Sequence, residues 1–200
     1  KVLGVLNNST ADRADVVQVN DTGAPAQQWT VTHVKEGAYR LINRASGKAL
    51  DILDWSTADG GDAIQWPFAG GNNQLFRFKS AGGGYYRLEN LHSGRVLGVA
   101  GGSLAPNGDV IQWAWSGARD QQWLLVAAPP VVRAANLAGG LALSWNSTPG
   151  QVFQVERSAN PAAGWVAVEP EIAAQAATTG WTNSPAGAAS AQFFRVRVIR

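Results

Sequence analysis

Residues 51–74 contain the side-chain types that bind a sugar: a carboxylate, an indole and two neighbouring amides. A flat aromatic face packs against the C–H groups of a sugar ring, and a carboxylate with an amide takes paired hydrogen bonds from adjacent hydroxyls. The same residues have a purely structural interpretation, in which Asp51 lies in a turn and Asn73 in a hairpin. The sequence around these residues decides between the two interpretations.

The sequence contains few residues suited to catalysis or metal binding. The only histidines are His33 and His92, and neither has a convincing acidic partner for base catalysis or metal ligation. Asp51 and Asp54 imitate a pair of glycosidase carboxylates, but they are only three residues apart. Residues 59–62, DGGD, lack the spacing and the terminal Glu of an EF-hand calcium loop. We expect no metal, no cofactor and no catalysis within this chain.

The composition excludes several further classes of protein. Charged residues make up 15% of the 200 residues, against about 25% in an average domain, and the formal net charge is +2. A chain without a run of Lys or Arg cannot form the basic surface that nucleic acid requires. No segment approaches the roughly 20 apolar residues of a membrane helix, and the absence of Cys excludes disulfides. The nine Trp are the unusual feature, because Trp serves both cores and recognition surfaces.

An internal repeat of 47 residues positions the sugar-binding side-chain types. The sequence KVLGV at 1–5 recurs as KALDI at 48–52 and as RVLGV at 95–99. Two further motifs keep the same offset: DVVQV, DAIQW and DVIQW at 15–19, 62–66 and 109–113, and QxW or QxF at 27–29, 74–76 and 121–123. No insertion breaks the register, so the chain holds three in-phase copies of one unit.

Each repeat has the pattern of short β-strands. Leu50 and Ile52 alternate with polar or small neighbours, residues 58–62 supply a turn, and Ile64 and Trp66 alternate again. No segment has helical periodicity. Three all-β units, none of which closes a core alone, predict a closed barrel with pseudo-threefold symmetry.

Four motifs of the second repeat occur together in one known family. They are SGKxLDI at 46–52, STxDG at 56–60, QW at 65–66 and NQxF at 73–76. This set resembles the ricin-B-type lectin β-trefoil, and the resemblance covers residues 1–128. That family includes many carbohydrate-binding modules of secreted bacterial glycosidases. The resemblance implies a secreted, non-catalytic module that binds a neutral polysaccharide or oligosaccharide and is covalently linked to a catalytic domain.

The resemblance assigns a role to each residue of the second-repeat site. It makes Asp51 the carboxylate, Trp66 the stacking face, and Asn73 and Gln74 the amide partners. The fifteen-residue spacing from Asp51 to Trp66 agrees with the family. Trp55, close to Asp51, either widens this site or caps a loop.

The other two repeats differ from this pattern. In the third repeat Gly98 replaces the carboxylate, while Trp113 and Trp115 remain and Asp120 stands at the position of Asn73. We expect an altered second site there. In the first repeat the carboxylate, indole and amide are all lost, so we expect that repeat to be inactive; the replacements are Gly4, Val19 and Ala26.

Repeat positions that stay apolar in every copy predict the core. Trp29, Phe76 and Trp123 occupy one such position, next to a glutamine that recurs in all three repeats. We expect these aromatic rings to fill the trefoil core. The recurring glutamines are expected to bond to the backbone, as buried polar groups do; they are Gln27, Gln74 and Gln121.

Residues 129–200 form a second predicted domain. After Pro129-Pro130 the sequence becomes Ala-rich and shows about six short alternating segments, which predict a small β-sandwich. The segments LxLSW, FQVERS and FFRVRV resemble a short fibronectin type III domain. In that arrangement Trp145 is a core residue, and Trp165 and Trp181 lie in the core or at a sheet edge.

The residues leave three alternatives open. The family's first strand would lie before Lys1, so we expect the chain to be a piece of a longer protein whose enzymatic activity, if it has one, resides upstream. A trefoil that binds proteins through its loops, as inhibitors of this fold do, is a second possibility. The third concerns the ligand, because an indole and a carboxylate suit polymers of galactose, xylose or glucose equally. The sequence also does not indicate the oligomeric state.

Overall fold

The computed structural model describes residues 1–126, 130, 132–137, 140–147, 150–168, 170–176, 178–183 and 193–199. The chain divides into two compact units, Lys1–Val126 and Ala127–Arg200. The domain boundary placed between residues 128 and 129 lies outside the described residues. The described residues form strands and short 3-10 turns, and no helix among them is long and apolar enough to cross a membrane. The prediction of an all-β fold is confirmed.

The first unit has eleven strands, arranged in the order of the three repeats. They are β1 (Val2–Val5), β2 (Val16–Val19), β3 (Trp29–Lys35), β4 (Ala38–Asn43), β5 (Ala49–Ile52), β6 (Gly61–Trp66), β7 (Phe76–Gly82), β8 (Tyr85–Asn90), β9 (Val96–Val99), β10 (Gly108–Trp113) and β11 (Trp123–Leu124). The 3-10 turns follow the same phase, at Leu6–Asn8, Pro25–Gln27, Leu53–Trp55, Asn72–Gln74, Ala100–Gly102 and Arg119–Gln121. The local backbone therefore repeats every 47 residues, as the sequence does.

The second strand of each repeat closes a ring with its two counterparts. β10 pairs with both β2 and β6, and an isolated bridge between Asp15 and Ile64 joins the first repeat to the second. The hairpins β3–β4 and β7–β8 extend from this ring. The result is the closed pseudo-threefold barrel of a β-trefoil.

A buried glutamine in each of these strands bonds to the neighbouring repeat. Gln65 Nε2 donates to the carbonyl oxygens of Ser9 and Ala11, at 2.9 Å each. Gln112 Nε2 makes the equivalent bonds to Ser56 and Ala58 at 2.8 and 3.0 Å, and Gln18 Nε2 makes them to Ser103 and Ala105 at 2.6 and 2.7 Å. Each repeat thus binds a loop of another repeat through its buried glutamine. Loss of these hydrogen bonds would cost folding free energy, because a buried amide without partners is unfavourable.

The core lies inside the ring and draws on all three repeats. Its buried apolar side chains include Val5, Val16, Leu41, Leu50, Ile52, Leu88, Leu97 and Val110. Phe76 is fully buried among them, while Trp29 and Trp123 pack against this cluster and are partly buried. The two indoles donate from Nε1 to the carbonyls of Leu3 and Leu97, at 3.0 and 3.1 Å. The prediction that this repeat position belongs to the core is confirmed.

The described residues of the second unit form two small sheets. Its described strands are β12 (Val132–Leu137), β13 (Gly140–Asn146), β14 (Val152–Ser158), β15 (Val166–Ala167), β16 (Ile172–Ala173), β17 (Thr178–Asn183) and β18 (Phe193–Val198). β13 pairs with β12 and β17, and β14 pairs with β15, β16 and β18. Trp145 from one sheet and Phe153 and Val155 from the other share one buried cluster, so the predicted sandwich is present. The likeness to fibronectin type III remains a prediction.

The three tryptophans of the second unit have different environments. Trp145 is fully buried, and Trp181 is partly buried against the same cluster. Trp165 lies under the guanidinium of Arg195, with Cζ 4.3 Å from the ring centroid. None of the three forms an open aromatic platform.

Candidate functional site

The hairpin β5–β6 sets the relative position of Asp51 and Trp66. Ala49 lies opposite Trp66 and Asp51 opposite Ile64. Because side chains alternate along a strand, Asp51 and Trp66 face the same side of the hairpin, and Leu50 faces the core. Asp51 and Trp66 are diagonal neighbours across the two strands, a relation that places side chains about 7 Å apart.

Two amides from the turn Asn72–Gln74 hold the Asp51 carboxylate. Asn73 Nδ2 donates to Oδ1 at 2.9 Å, and Gln74 Nε2 donates to Oδ2 at 2.8 Å. Asp51 is only 4% exposed. Burial raises the pKa of Asp51 to about 6, although the hydrogen bonds from Gln74 and Asn73 act in the opposite direction, and the negative charge of Asp54 raises it slightly further. The site therefore holds an oriented carboxylate that titrates near neutral pH.

The geometry gives Gln74 a positioning role. Its Nε2 donates to Asp51 and, at 2.9 Å, to the carbonyl of Pro67, while its Oε1 accepts from the amide of Ala69 at 2.8 Å. The side chain is 1% exposed, so it has no free donor to offer a ligand. Gln27 and Gln121 make the corresponding backbone bonds, to Asn20 and Ala114 at 2.8 Å each. The predicted backbone bonding of these glutamines is confirmed, and Gln74 alone adds a bond to a carboxylate.

Two exposed indoles lie near the two ends of β5, the strand that carries Asp51. Trp66 is 36% exposed and Trp55 is 52% exposed. Trp55 lies in the turn Leu53–Trp55, directly after β5. The sequence pattern missed Phe68, which is half-buried under the guanidinium of Arg40 with Cζ 4.8 Å from the ring centroid. The repeat offset could have revealed it, because Phe68 is the counterpart of Trp115.

The third repeat supplies its carboxylate from a different element. A Cβ atom at Gly98 would lie 3.2 Å from Asp120 Oδ2, so the Asp120 carboxylate lies beside the space that a side chain at position 98 would fill. Trp113 lies opposite Val96 and is 45% exposed. Trp115 is also exposed and lies under the guanidinium of Arg87, with Cζ 4.9 Å from the ring centroid. The repeat thus holds two exposed indoles, one of them with a guanidinium on its ring, and a carboxylate on the turn Arg119–Gln121.

The corresponding position of the first repeat is apolar and closed. A Cβ atom at Gly4 would lie 2.7 Å from Val19 Cγ2. Ala26, at the position of Asn73, is buried. No carboxylate, indole or side-chain amide occupies these three positions, and the inactivity of this repeat stays a prediction.

Three ion pairs lie on the surface around the sites. Arg13 pairs with Asp54 at 3.3 Å, Lys48 with Asp12 at 3.2 Å, and Arg95 with Asp59 at 2.6 Å. Within the described residues no group of three or more His, Asp or Glu side chains could hold a metal ion. Exposed ion pairs of this kind contribute little to stability.

Comparison with known proteins gives a consistent result for the first unit. A family model described as ricin-type beta-trefoil lectin domain-like matches residues 1–66 and 72–156. The crystal structure of ThreeFoil, a designed threefold-symmetric protein, is 44% identical, with a TM-score of 0.62 over 62% of this chain and 89% of that chain. A search of curated proteins found no match.

Two natural proteins of known structure are also similar. One is 1,3Gal43A, an exo-beta-1,3-galactanase from Clostridium thermocellum, at 40% identity and a TM-score of 0.62; the match covers 63% of this chain and 27% of that enzyme. The other is the Polyporus squamosus lectin, at 21% identity and a TM-score of 0.53, over 60% of this chain and 42% of the lectin. The second likeness concerns the fold alone.

Proposed function

The chain belongs to the ricin-type β-trefoil lectin family, and we propose that it binds a neutral polysaccharide without transforming it, mainly through the second repeat. The observation that carries this proposal is the Asp51 carboxylate, held at both oxygens by Asn73 and Gln74 and flanked by the exposed indole of Trp66. Ricin-type lectin folds bind carbohydrate; the polysaccharide, its position in this site and the absence of catalysis are parts of the proposal.

Binding at this site uses an acceptor that is oriented before the ligand arrives. Two adjacent hydroxyls of a sugar donate to the Asp51 carboxylate while the ring packs on Trp66. Gln74 keeps the carboxylate in place, so little ordering cost remains at the moment of binding. Asn73 Nδ2 is engaged by Asp51 and, at 3.3 Å, by the carbonyl of Ile52, which leaves its Oδ1 as the atom to accept from the sugar.

The third repeat provides a second, weaker site. Asp120, Trp113 and Trp115 offer the same chemical groups in another arrangement. Two sites that engage one polysaccharide chain raise the overall affinity without new contacts, since the second binding event is intramolecular.

A linked glycoside hydrolase is the partner that fits this module. The galactanase of Clostridium thermocellum contains a segment 40% identical to 63% of this chain, and that segment is 27% of the enzyme. We propose that the present chain likewise targets a covalently attached hydrolase to its polysaccharide outside the cell. Its second unit, with two small sheets around Trp145, serves as a fibronectin type III-like spacer. β-1,3-Galactan is accordingly the first ligand to test.

Affinity gel electrophoresis with immobilised β-1,3-galactan, xylan or laminarin tests the proposal. The parent chain is retarded by at least one polymer, and the double variant Trp66→Ala, Trp113→Ala migrates as in a gel without polysaccharide. Tyr85→Ala removes an exposed aromatic ring on β8 and serves as the matched control with parental mobility. Retention of the double variant by every polymer that retards the parent overturns the proposal. Indifference to Asp51→Ala would favour a protein-binding trefoil.

A further inference from the structure

The backbone around Trp55 gives no reason for a tryptophan. Trp55 has φ of +55°, in the left-handed region that bulky residues rarely adopt. The equivalent residues of the other repeats, Asn8 and Gly102, have φ of +54° and +62°, and Asn and Gly are the residues that this region favours. The local conformation thus selects against an indole, so its presence calls for another cause.

The indole occupies a notch created by the missing side chain of Gly71. A Cβ atom there would lie 2.7 Å from Trp55 Cζ2 and 2.5 Å from Asn73 Oδ1. The backbone does not require glycine, since φ and ψ are −67° and 150°. Ala24 and Ala118 hold the equivalent positions with nearly the same angles, −63° and 146°, and −66° and 153°. Glycine replaces alanine only in the repeat that carries the indole.

His92 supports the indole from a second side. Its ring meets the Trp55 ring edge to face, with centroids 5.1 Å apart and an interplanar angle of 85°. The His92 amide donates to Asn90 Oδ1 at 3.1 Å, and Asn90 Nδ2 donates to the carbonyl of Asn73 at 2.9 Å. The support is therefore tied to the same turn that holds Asp51, while 52% of Trp55 remains exposed.

The two indoles lie at opposite ends of β5. Trp66 is opposite Ala49, near the start of the strand, and Trp55 follows Ile52, where the strand ends. At about 3.3 Å per residue, Ala49 and Ile52 are about 10 Å apart, which is longer than one pyranose ring. Asp51 lies between them, so a sugar that stacks on Trp66 and bonds to Asp51 leaves Trp55 free for the adjoining sugar.

We propose that Trp55, seated on Gly71 and supported by His92, is the second aromatic wall of this site, and that the site binds two consecutive pyranose residues of a neutral polysaccharide. The inference rests on the proposed function and specifies its ligand. Trp66 and Asp51 hold one residue, and Trp55 holds the next. The exposure of Trp55 beside its two supports is what separates this assignment from a loop cap, since a cap needs no open face.

Calorimetric titration of the full chain tests the two-residue site. The probes are the mono-, di- and trisaccharides of β-1,3-galactan, xylan or laminarin, according to which polymer retards the parent. Trp55→Ala raises the Kd for the di- and trisaccharides roughly tenfold, the loss expected for one aromatic contact, and leaves the monosaccharide Kd unchanged. Gly71→Ala also raises the Kd for the di- and trisaccharides while retaining the indole, but its new Cβ meets Asn73 Oδ1 as well as Trp55, so this variant weakens the monosaccharide too. Asn8→Ala, at the equivalent position of the first repeat, is the matched control with parental Kd values.

Two outcomes separate the possible failures. Equal disaccharide Kd values for the parent, Trp55→Ala and Gly71→Ala, together with weakened binding in Trp66→Ala, overturn the two-residue site and leave the proposed function standing. Absence of sugar binding by the parent itself overturns the proposed function.

Discussion

Replacement of Asp51 by Asn separates its part in binding from its part in folding. Each carboxylate oxygen accepts one buried amide hydrogen, from Asn73 on one side and Gln74 on the other. An Asn side chain offers a single acceptor oxygen and turns its own NH2 toward the second donor. One buried donor then has no acceptor, which costs about 1–3 kcal/mol of folding free energy, and at neutral pH this cost is opposed by the loss of a buried charge. The sugar also loses a charged acceptor, so the affinity falls about 10- to 100-fold.

The pH dependence of the parent has opposite signs for folding and for binding. The pKa of Asp51 is raised from 3.8 to about 6 in the folded chain, so the folded state favours the neutral acid. Its contribution to stability is full below pH 3.8 and is lost as the pH rises to about 6. Binding needs the ionised form. Affinity therefore falls about tenfold between pH 7 and pH 5, as the ionised fraction drops from about nine tenths to about one tenth.

Calorimetric titration and urea unfolding between pH 4.5 and 7.5 measure the two trends on one preparation. In Asp51→Asn the contributions of Asp51 to the pH dependence of affinity and of unfolding free energy both disappear. Any pH dependence that remains belongs to other titratable groups. Equal affinities of the parent at pH 5 and pH 7, or identical pH slopes in parent and variant, would refute the assignment of Asp51 as the ionised acceptor.

Three further predictions concern the supporting residues. Gln74→Ala weakens sugar binding about tenfold and moves the midpoint of the binding pH profile upward, because a bond that favours the Asp51 carboxylate is lost; an unchanged midpoint argues against a positioning role. Gln112→Ala lowers the urea-unfolding free energy by about 2–4 kcal/mol, since two buried hydrogen bonds between repeats and their packing are lost. Asp120→Asn weakens retention on the polysaccharide gel but leaves the monosaccharide Kd of the second-repeat site unchanged, and a change in both would contradict two separate sites.

The fold and its core follow from periodicity, and the resemblance to the lectin family adds the site. A repeat of 47 residues and a strand period of two are local properties of the chain. They predict three equivalent units and a core at Phe76 and its counterparts, while the resemblance to the lectin family adds Asp51 as the carboxylate and Trp66 as the stacking face. The structure confirms the fold and this core position because neither depends on a long-range contact that only one repeat makes.

Contacts that are specific to one repeat required the tertiary structure. The family resemblance made Gln74 an amide partner in the sugar site, but folding brings Pro67 and Ala69 to it, and its hydrogen bonds are used within the protein. His92 was set aside for lack of an acidic partner, yet it supports Trp55 across 37 residues of sequence. These roles depend on which turns lie close together in the folded chain. Contacts between distant turns produce no periodic pattern in the sequence.

The sequence by itself therefore determined the architecture and the chemical type of the site. Alternation and repetition specify which face of each strand is buried. The residue types on the exposed face are those that bind a sugar. Only the tertiary structure decided the state of the Asp51 carboxylate, the placement of Asp120 beside Gly98, and the seat of Trp55 on Gly71. Burial and van der Waals distance are properties of packed atoms, and they exist only after the repeats have closed on one another.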